Sequence, residues 1–508
     1  MELLKSLKGY KKSYLINDLL SGLLVAIIAM PLSIALGLQS VPEGVGGGIQ
    51  MGIITAIVAG FCISAFGGSR FQIGGPTAAF VVIIFGYLKD PEIGLIGLQI
   101  ATLLAGVLLI IMGLLKGGNL VKYIPYPIEV GFTTGIGITL LVAQIKDFCG
   151  FTGSGVDFIE KISAYIGSIS SFNLITFLIG AGTLAVIYIL GAINKKIPSA
   201  FISIILFTII NVLIGGESLG VQTIGSKYGE ITAGFSTVNF GSLGSLNFAK
   251  IIMPAIVIAF LGALESLLSA TVADGMTKLK SNFNVELVGQ GIGNIASTML
   301  GGLPATGAIA RTSANIKSGA KSSLAGVFHA VFLLIFYFAL MGVIKFIPLC
   351  ALAAVLINIS INICNPKKFI KIGKFGVRDT IVLYTAMLLT VFFDLTYGVI
   401  GGFVLALILN IESFKNPLKI TVEENEGKEI VLVKGSVYFL NVDKLCKIIQ
   451  KEFENHSELI VDFSNMVKLD LSASEKLTAL NRGIANQGKT LNFNNLSKIN
   501  NKRINFFN

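Results

Sequence analysis

The stretch Gly67-Gly-Ser-Arg-Phe-Gln-Ile-Gly-Gly-Pro-Thr-Ala-Ala-Phe80 decides the fold. A glycine pair, Gly74 and Gly75, comes directly before Pro76, and an apolar run over 76–88 follows. A helix that crosses a bilayer needs about 20 residues, so this run is too short to cross as a full helix. The pattern predicts a half-helix with Pro76 at its first position, where a missing N–H costs nothing. The same plan returns as Gly301-Gly-Leu-Pro-Ala-Thr-Gly-Ala-Ile-Ala-Arg311, with Pro304 opening a second short run over 304–316. Gly75, Pro76 and Pro304 are the breakers. Each motif follows a glycine-bearing apolar span, Gly52–Phe66 and Val288–Leu300 respectively.

Two interrupted segments in corresponding positions of two halves point to a substrate site near the bilayer midplane. They lie seven segments apart, an odd number, so the second half is inverted in the membrane. The two helix N-termini then face each other, each offering unpaired backbone N–H groups and about half a positive charge. Together they suit an anion, and Thr77 and Thr306 can add hydroxyl contacts. A single glycine–proline kink would fit packing alone; a matched pair favours a site.

The rest of the chain supports a membrane setting. Of its 508 residues 53% are hydrophobic and 13% charged, with mean hydropathy +0.81, against roughly 25% charge in soluble domains. An ordinary soluble enzyme is excluded, and a polytopic α-helical membrane protein is expected. Apolar spans run over 18–39, 49–66, 93–115, 121–143, 172–193, 197–215, 248–272, 286–300, 322–345, 347–364, 377–393 and 395–411, making fourteen segments with the two short runs. The 58 glycines fall mostly inside these runs, where small residues let helices approach closely.

Lysine and arginine give the orientation. With both termini cytoplasmic, Lys89, Lys146, Lys161, Lys227, Lys250 and Lys345 fall outside, against nineteen cations on the inner side before residue 411. The +11 net charge then reflects topology and needs no nucleic-acid partner. Asp18 and Lys367–Lys371 sit at span ends and serve topology. No cleavable signal precedes the first span, which is expected to stay as an anchor. Five scattered cysteines and two histidines, His329 and His456, leave almost no ligand supply for zinc or haem. No nucleophile with a paired base, no P-loop and no ATP site is evident, so no enzyme activity and no organic cofactor are expected.

Glu265 stands mid-span in Ile256–Ser269, where an ionised group costs at least about 2.5–3.5 kcal/mol on insertion scales. Ser269, four residues on, shares its helix face. The pair can bind a cation, accept a proton, or satisfy each other; the cost of a bare glutamate favours a functional role. Glu129, after Pro125 and Pro127, reads as structural. Arg311, one turn into the second half-helix, either adds positive potential behind an anion or obeys the orientation rule. From Pro417 the composition becomes that of a small soluble domain. Strands at Glu429–Val433, Leu459–Phe463 and Thr490–Phe493 alternate with helices at Val442–Phe453 and Ser474–Ala485, predicting a small α/β domain on the cytoplasmic side. The expected division is 1–412 for the membrane part and 413–508 for the tail.

Gly67–Phe80 resembles the third-segment motif of the SulP family of anion transporters, also called the sulfate permease or solute-carrier anion exchanger family. Ala78 stands where bacterial relatives often have Gly. Leu261–Asp274 is similar to the family's eighth segment, Val288–Asn294 and Gly301–Asn315 to its ninth and tenth, and the tail to its STAS domain. The resemblance implies seven plus seven inverted segments, a moving core beside a gate, and a homodimer in the inner membrane. It implies substrate contacts at Thr77, Gly307 and Ala308, and Ala78, next to Thr77, is a further candidate. The nearest branch is that of the bacterial sodium–bicarbonate transporters. There a cation site uses Asp and Thr where Glu265 and Ser269 stand, with positions matching Gly307 and Ile309. Ile309 offers no hydroxyl and Glu265 is a methylene longer, so proton coupling competes with a Na+ site at Glu265, Ser269 and Gly307. In regulatory STAS domains a serine matching Ser472 is phosphorylated; here the turn Asp470-Leu-Ser-Ala473 lacks its Gly, and a docking or dimer role for the tail, with a cytoplasmic protein as one partner, is the stronger expectation.

The expected function is secondary active transport of a small anion, bicarbonate or sulfate before a dicarboxylate, by alternating access with H+, Na+ or exchange. The alternatives are a nucleobase permease of the same fold and an anion channel or sensor regulated by its tail.

Overall fold

The computed structural model describes every residue other than 1, 8–9, 119–124, 154, 156, 195–196, 230–231, 239–246, 278, 374, 394, 426–427, 454–455, 486 and 508. The start of the 121–143 span and the inner-side cations Lys8, Lys122, Lys195, Lys196, Lys278 and Lys374 lie outside the described residues.

The chain opens with α1 (Glu2–Leu7), α2 (Lys12–Ser40) and α3 (Gly48–Phe66), then the two-residue strand β1 (Gly74–Gly75) and α4 (Ala78–Lys89). It continues through α5 (Gly94–Leu114), α6 (Tyr126–Cys149), α7 (Phe158–Gly167), α8 (Leu174–Ile193), α9 (Ser199–Leu213) and α10 (Ile224–Tyr228). The second half repeats the plan. α11 (Phe248–Thr277) and α12 (Phe283–Met299) lead to β2 (Thr306–Gly307) and α13 (Ile309–Lys317). α14 (Leu324–Ile344), α15 (Leu349–Cys364), α16 (Pro366–Ile372), α17 (Val377–Phe392), α18 (Leu395–Leu409) and α19 (Ile411–Lys415) complete it.

Every one of the fourteen expected segments has its helix among the described residues. Among the described residues eight helical stretches are long and apolar enough to cross a membrane, while Ala78–Lys89, Ser199–Leu213 and Tyr397–Leu409 are shorter apolar helices. Large apolar side chains such as Leu213 (79% exposed) and Val377 (76%) face outward; in water they would form sticky patches, in lipid they are solvated. The amphipathic α7 was not foreseen from the sequence, because its ten residues alternate faces without an apolar run.

The half-helices begin later than Pro76 and Pro304 imply. α4 starts at Ala78, with Thr77 as N-cap, so Pro76 lies outside the helix and not at its first position. α13 starts at Ile309, five residues beyond Pro304. For α13 the reason is that Thr306 and Gly307, between Pro304 and the helix, are used as strand; for α4 only Thr77, the N-cap, stands between Pro76 and the helix.

Two compact units divide the chain: 1–121 with 137–362, and 122–136 with 363–508. Within the first, α12 packs against both α3 and α5, and α2 against α14. Glycines make these crossings close: a Cβ on Gly289 would lie 2.6 Å from the Cα of Gly67, backbone against backbone. The second unit joins the last two spans to the tail. Its sheet has the order β3-β4-β5-β6, formed by β3 (Lys419–Asn425), β4 (Lys428–Val437), β5 (Glu458–Leu469) and β6 (Thr490–Asn494). The β3–β4 pair is antiparallel and the other two pairs parallel, so α20 (Val442–Glu452) and α21 (Leu471–Ala485) serve as crossovers. Val431, Val433, Leu445, Ile449, Leu459, Val461 and Leu477 form the tail's core. The three expected strands and two helices are present; β3 and the final helix α22 (Lys498–Phe507) are additional.

Ser472 is 4% exposed, and its Oγ accepts the Tyr126 N–H at 2.8 Å. It makes a buried contact.

Candidate functional site

The two broken segments meet. β1 and β2 pair antiparallel, Gly74 with Gly307 and Gly75 with Thr306. Ala308 N–H donates to the Ile73 carbonyl at 2.9 Å, and Ile73 N–H to Thr312 Oγ1 at 3.1 Å, extending the ladder at one end. Glycine fits both strand positions. Gly75 has φ +153°, and a Cβ on it would run into Arg311 Nη1. A Cβ on Gly307 would run into Gln72 Nε2. Because the strands run antiparallel, α4 and α13 leave the pair in opposite directions with both N-termini beside it.

Neither half-helix is capped by a side chain. Thr77 occupies the N-cap of α4 with suitable dihedrals, φ −128° and ψ 158°, yet makes no cap bond. Its hydroxyl donates instead to Glu265 Oε2 at 2.8 Å. Thr306 donates to the same oxygen at 2.9 Å. Among the described residues the amides of Ala78, Ala79, Ile309 and Ala310 have no hydrogen-bond partner. Two sets of open N–H groups and two positive helix ends therefore converge on one place. Gly307 and Ala308 do not add to them, since their N–H groups are taken by Ser266 Oγ (3.0 Å) and Ile73.

Glu265 sits on α11 as a carboxylate shared by both breakers. Oε2 receives both threonine hydroxyls, and no hydrogen bond reaches Oε1 among the described residues. The oxygens at hand are Oε1, Thr77 Oγ1, Thr306 Oγ1 and the Gly307 carbonyl, which takes a second contact from Thr306 at 3.1 Å. An all-oxygen set of this kind suits a hard cation or a proton. Ser269 is not among them: it is buried, and its hydroxyl donates to Thr312 Oγ1 at 3.2 Å on α13. The alternative that Glu265 and Ser269 satisfy each other is not what the structure holds: Glu265 is tied to Thr77 and Thr306, and Ser269 to Thr312.

Arg311 is 2% exposed. Nη2 donates to Ser33 Oγ on α2 at 3.1 Å and Nη1 contacts the Gly74 carbonyl at 3.4 Å. Among the described residues no carboxylate pairs with it within 4 Å, so a full positive charge lies against β1 without an ion-pair partner. Two helix ends of about half a charge each, Arg311 and an ionised Glu265 leave the region with about one net positive charge.

Several contributors were not singled out from the sequence. Ser266, beside Glu265, holds Gly307. Gln72 Nε2 donates to the Ser266 carbonyl at 3.1 Å. Asn294 on α12 pairs with both backbone groups of Ala305, at 2.9 Å each way. Glu286, fully buried on α12, accepts Gly68 and Ser69 N–H at 2.9 and 3.0 Å. For Asn294 the polar residues of Val288–Asn294 were the available signal.

The architecture is that of a polytopic membrane transporter with two half-helices that start beside one strand pair, and a small α/β tail. Comparison with known proteins agrees. The Sulfate permease family matches residues 15–386, and the chain belongs to that family. It is similar to a putative sulfate transporter, YvdB, of Bacillus subtilis, at 34% identity over 95% of this chain and 92% of that protein. It is also similar to the bicarbonate transporter BicA of a Picosynechococcus species, at 31% identity over 79% of this chain and 71% of that protein. Among solved structures, the transmembrane domain of a cyanobacterial BicA superposes with TM-score 0.67 at 29% identity, covering 78% of this chain and 97% of that one. The overall structure of SLC26A9 superposes with TM-score 0.71 over 99% of this chain and 88% of that one; at 19% identity it shows the shared fold alone. These relatives are membrane transporters, and the chain is a multi-pass anion transporter of the same family, not an enzyme.

Proposed function

We propose that the chain is a secondary active transporter of a small oxyanion, bicarbonate or sulfate before a dicarboxylate, working by alternating access. One observation carries this reading: both half-helices begin uncapped while the hydroxyl that would cap α4 is drawn away to Glu265. The open amides of Ala78, Ala79, Ile309 and Ala310 then form the cradle, with Thr77 and Thr306 beside it and Arg311 supplying long-range attraction. The names of the relatives, sulfate and bicarbonate transporters, support the choice of cargo.

Coupling passes through Glu265. With its carboxylate ionised, the site's net charge of about one matches a monoanion. Neutralising it with a proton, or placing Na+ at Oε1, raises that charge to about two and favours a dianion by simple Coulomb attraction. Because one carboxylate oxygen holds the threonines of both breakers, cation and anion sites move as one body. A dimer, cytoplasmic termini in the inner membrane, and a docking role for the tail belong to the same proposal.

Radiolabelled uptake into proteoliposomes tests it, using bicarbonate, sulfate and succinate with and without imposed sodium and pH gradients. Uphill uptake of an anion with trans-acceleration by unlabelled substrate is expected. Uptake without trans-acceleration would identify a channel, and uptake of uncharged nucleobases alone would refute the anion reading.

A further inference from the structure

Both breakers are tied to one helix. On α12, Glu286, Gln290 and Asn294 recur every four residues and so share a face. All three are fully or almost fully buried. They are linked along the helix: Gln290 Nε2 donates to Glu286 Oε1 at 3.0 Å, and Asn294 Nδ2 to the Gln290 carbonyl at 2.9 Å. At one end of this row Glu286 takes the N–H groups of Gly68 and Ser69, at the entrance to the first breaker. At the other, Asn294 Nδ2 donates to the Ala305 carbonyl while its Oδ1 accepts Ala305 N–H, both at 2.9 Å. That two-way pairing is what a neighbouring strand would supply, made by a side chain. Ser297, at the next turn, donates to the Leu303 carbonyl at 3.1 Å.

We propose that this face of α12 is the splint that sets where the two half-helix starts stand relative to each other, with Asn294 and Glu286 as positioning residues for the anion cradle. Eight residues separate the two clamps, about 12 Å of helix. The clamps act next to, and not on, the cradle: Ala305 immediately precedes the Thr306 that reaches Glu265. The Gly289–Gly67 crossing leaves α12 no room to shift against α3 without moving the first breaker. Anion affinity therefore depends on a helix that never touches the anion. This rests on the transporter reading above.

The test uses the full-length protein in proteoliposomes and Asn294→Asp, which keeps the shape and the acceptor for Ala305 N–H; ionised, it loses the donor to the Ala305 carbonyl and adds a charge, for which the neutral Ser297→Ala is the control. Ser297→Ala serves as a milder second variant. The readouts are KM and Vmax for the wild type's preferred anion, and amide hydrogen exchange over 303–308 without anion. Expected are a KM raised at least tenfold in Asn294→Asp and two- to fivefold in Ser297→Ala, with Vmax within threefold, and faster exchange within 303–308 in both. An unchanged KM beside faster exchange would overturn the splint, showing packing alone. An unchanged KM with unchanged exchange would also overturn it. Should Asn294→Asp fail to fold, Ser297→Ala decides. Failure of the wild type to transport any anion would instead sink the transporter reading, which keeps the two failures distinct.

Discussion

Replacing Arg311 by Met separates a structural arginine from a functional one, because the two roles give opposite signs. The guanidinium is 2% exposed and bonds only neutral groups, Ser33 Oγ and the Gly74 carbonyl, among the described residues. Burying a charge without an ion-pair partner is unfavourable, and an apolar side chain of similar length relieves that penalty. Ser33 would not be stranded, since its hydroxyl also donates to the Ala29 carbonyl at 2.7 Å. The anion-free variant should therefore melt at the wild-type temperature or above it. Anion binding should fall. At a separation on the order of 7 Å and an effective dielectric constant of about 20, a unit charge attracts a monoanion by about 2.4 kcal/mol, or roughly fifty-fold in Kd. Thermal-shift titration of the detergent-purified protein with sulfate and bicarbonate gives both numbers in one experiment. A Kd within twofold of wild type, or a collapse of the anion-free melting temperature, would refute the electrostatic role.

Three further changes probe Glu265, Lys227 and the tail. Glu265→Gln keeps an acceptor for Thr77 and Thr306 but not the charge; gradient-driven uptake should be lost while anion exchange persists, and intact uphill uptake would remove Glu265 from coupling. Lys227 on α10 pairs with Glu43 at 2.9 Å and Asp147 at 3.6 Å, joining the α2–α3 turn to the end of α6; Lys227→Met should speed amide exchange over 41–47, and no change would show the pair holds nothing. In the tail, burial pushes the Asp470 carboxyl up to about 7, with the Asp379 charge adding to it against the Ala473 and Phe439 N–H groups. The folded tail then keeps a proton that the unfolded chain releases near pH 4, so its stability should fall as pH rises from about 4 to 7 and level off above. Asp470→Asn should flatten that slope, as read by exchange at β5 across pH; an unaltered slope would exclude Asp470 as its source.

The breakers could be read in the sequence because they are local: a glycine pair, a proline and a short apolar run need no distant partner to be recognised. Glu265 was legible for a related reason, being a carboxylate inside an apolar run. What the sequence did not carry is pairing across long separations. Ser269 lies on the right helix face, yet the packing of α13 gives it to Thr312, and the neighbouring Ser266 reaches Gly307 instead. Helical spacing fixes faces, not partners. The late start of α13 was hidden for the same reason, since β2 exists only because β1 lies beside it. The row on α12 shows a polar period of four, but its meaning depends on backbone carbonyls and amides that no side-chain pattern announces.

The central claim is that an anion rests on the open amides of α4 and α13. A high-resolution map of the protein in lipid nanodiscs with saturating sulfate or bicarbonate tests this most directly. Density for the anion within hydrogen-bond reach of Ala78–Ala79 and Ile309–Ala310, beside Thr77 and Thr306, is the expected result. An anion bound elsewhere, or Thr77 found capping α4 with the cradle closed to solute, would contradict it.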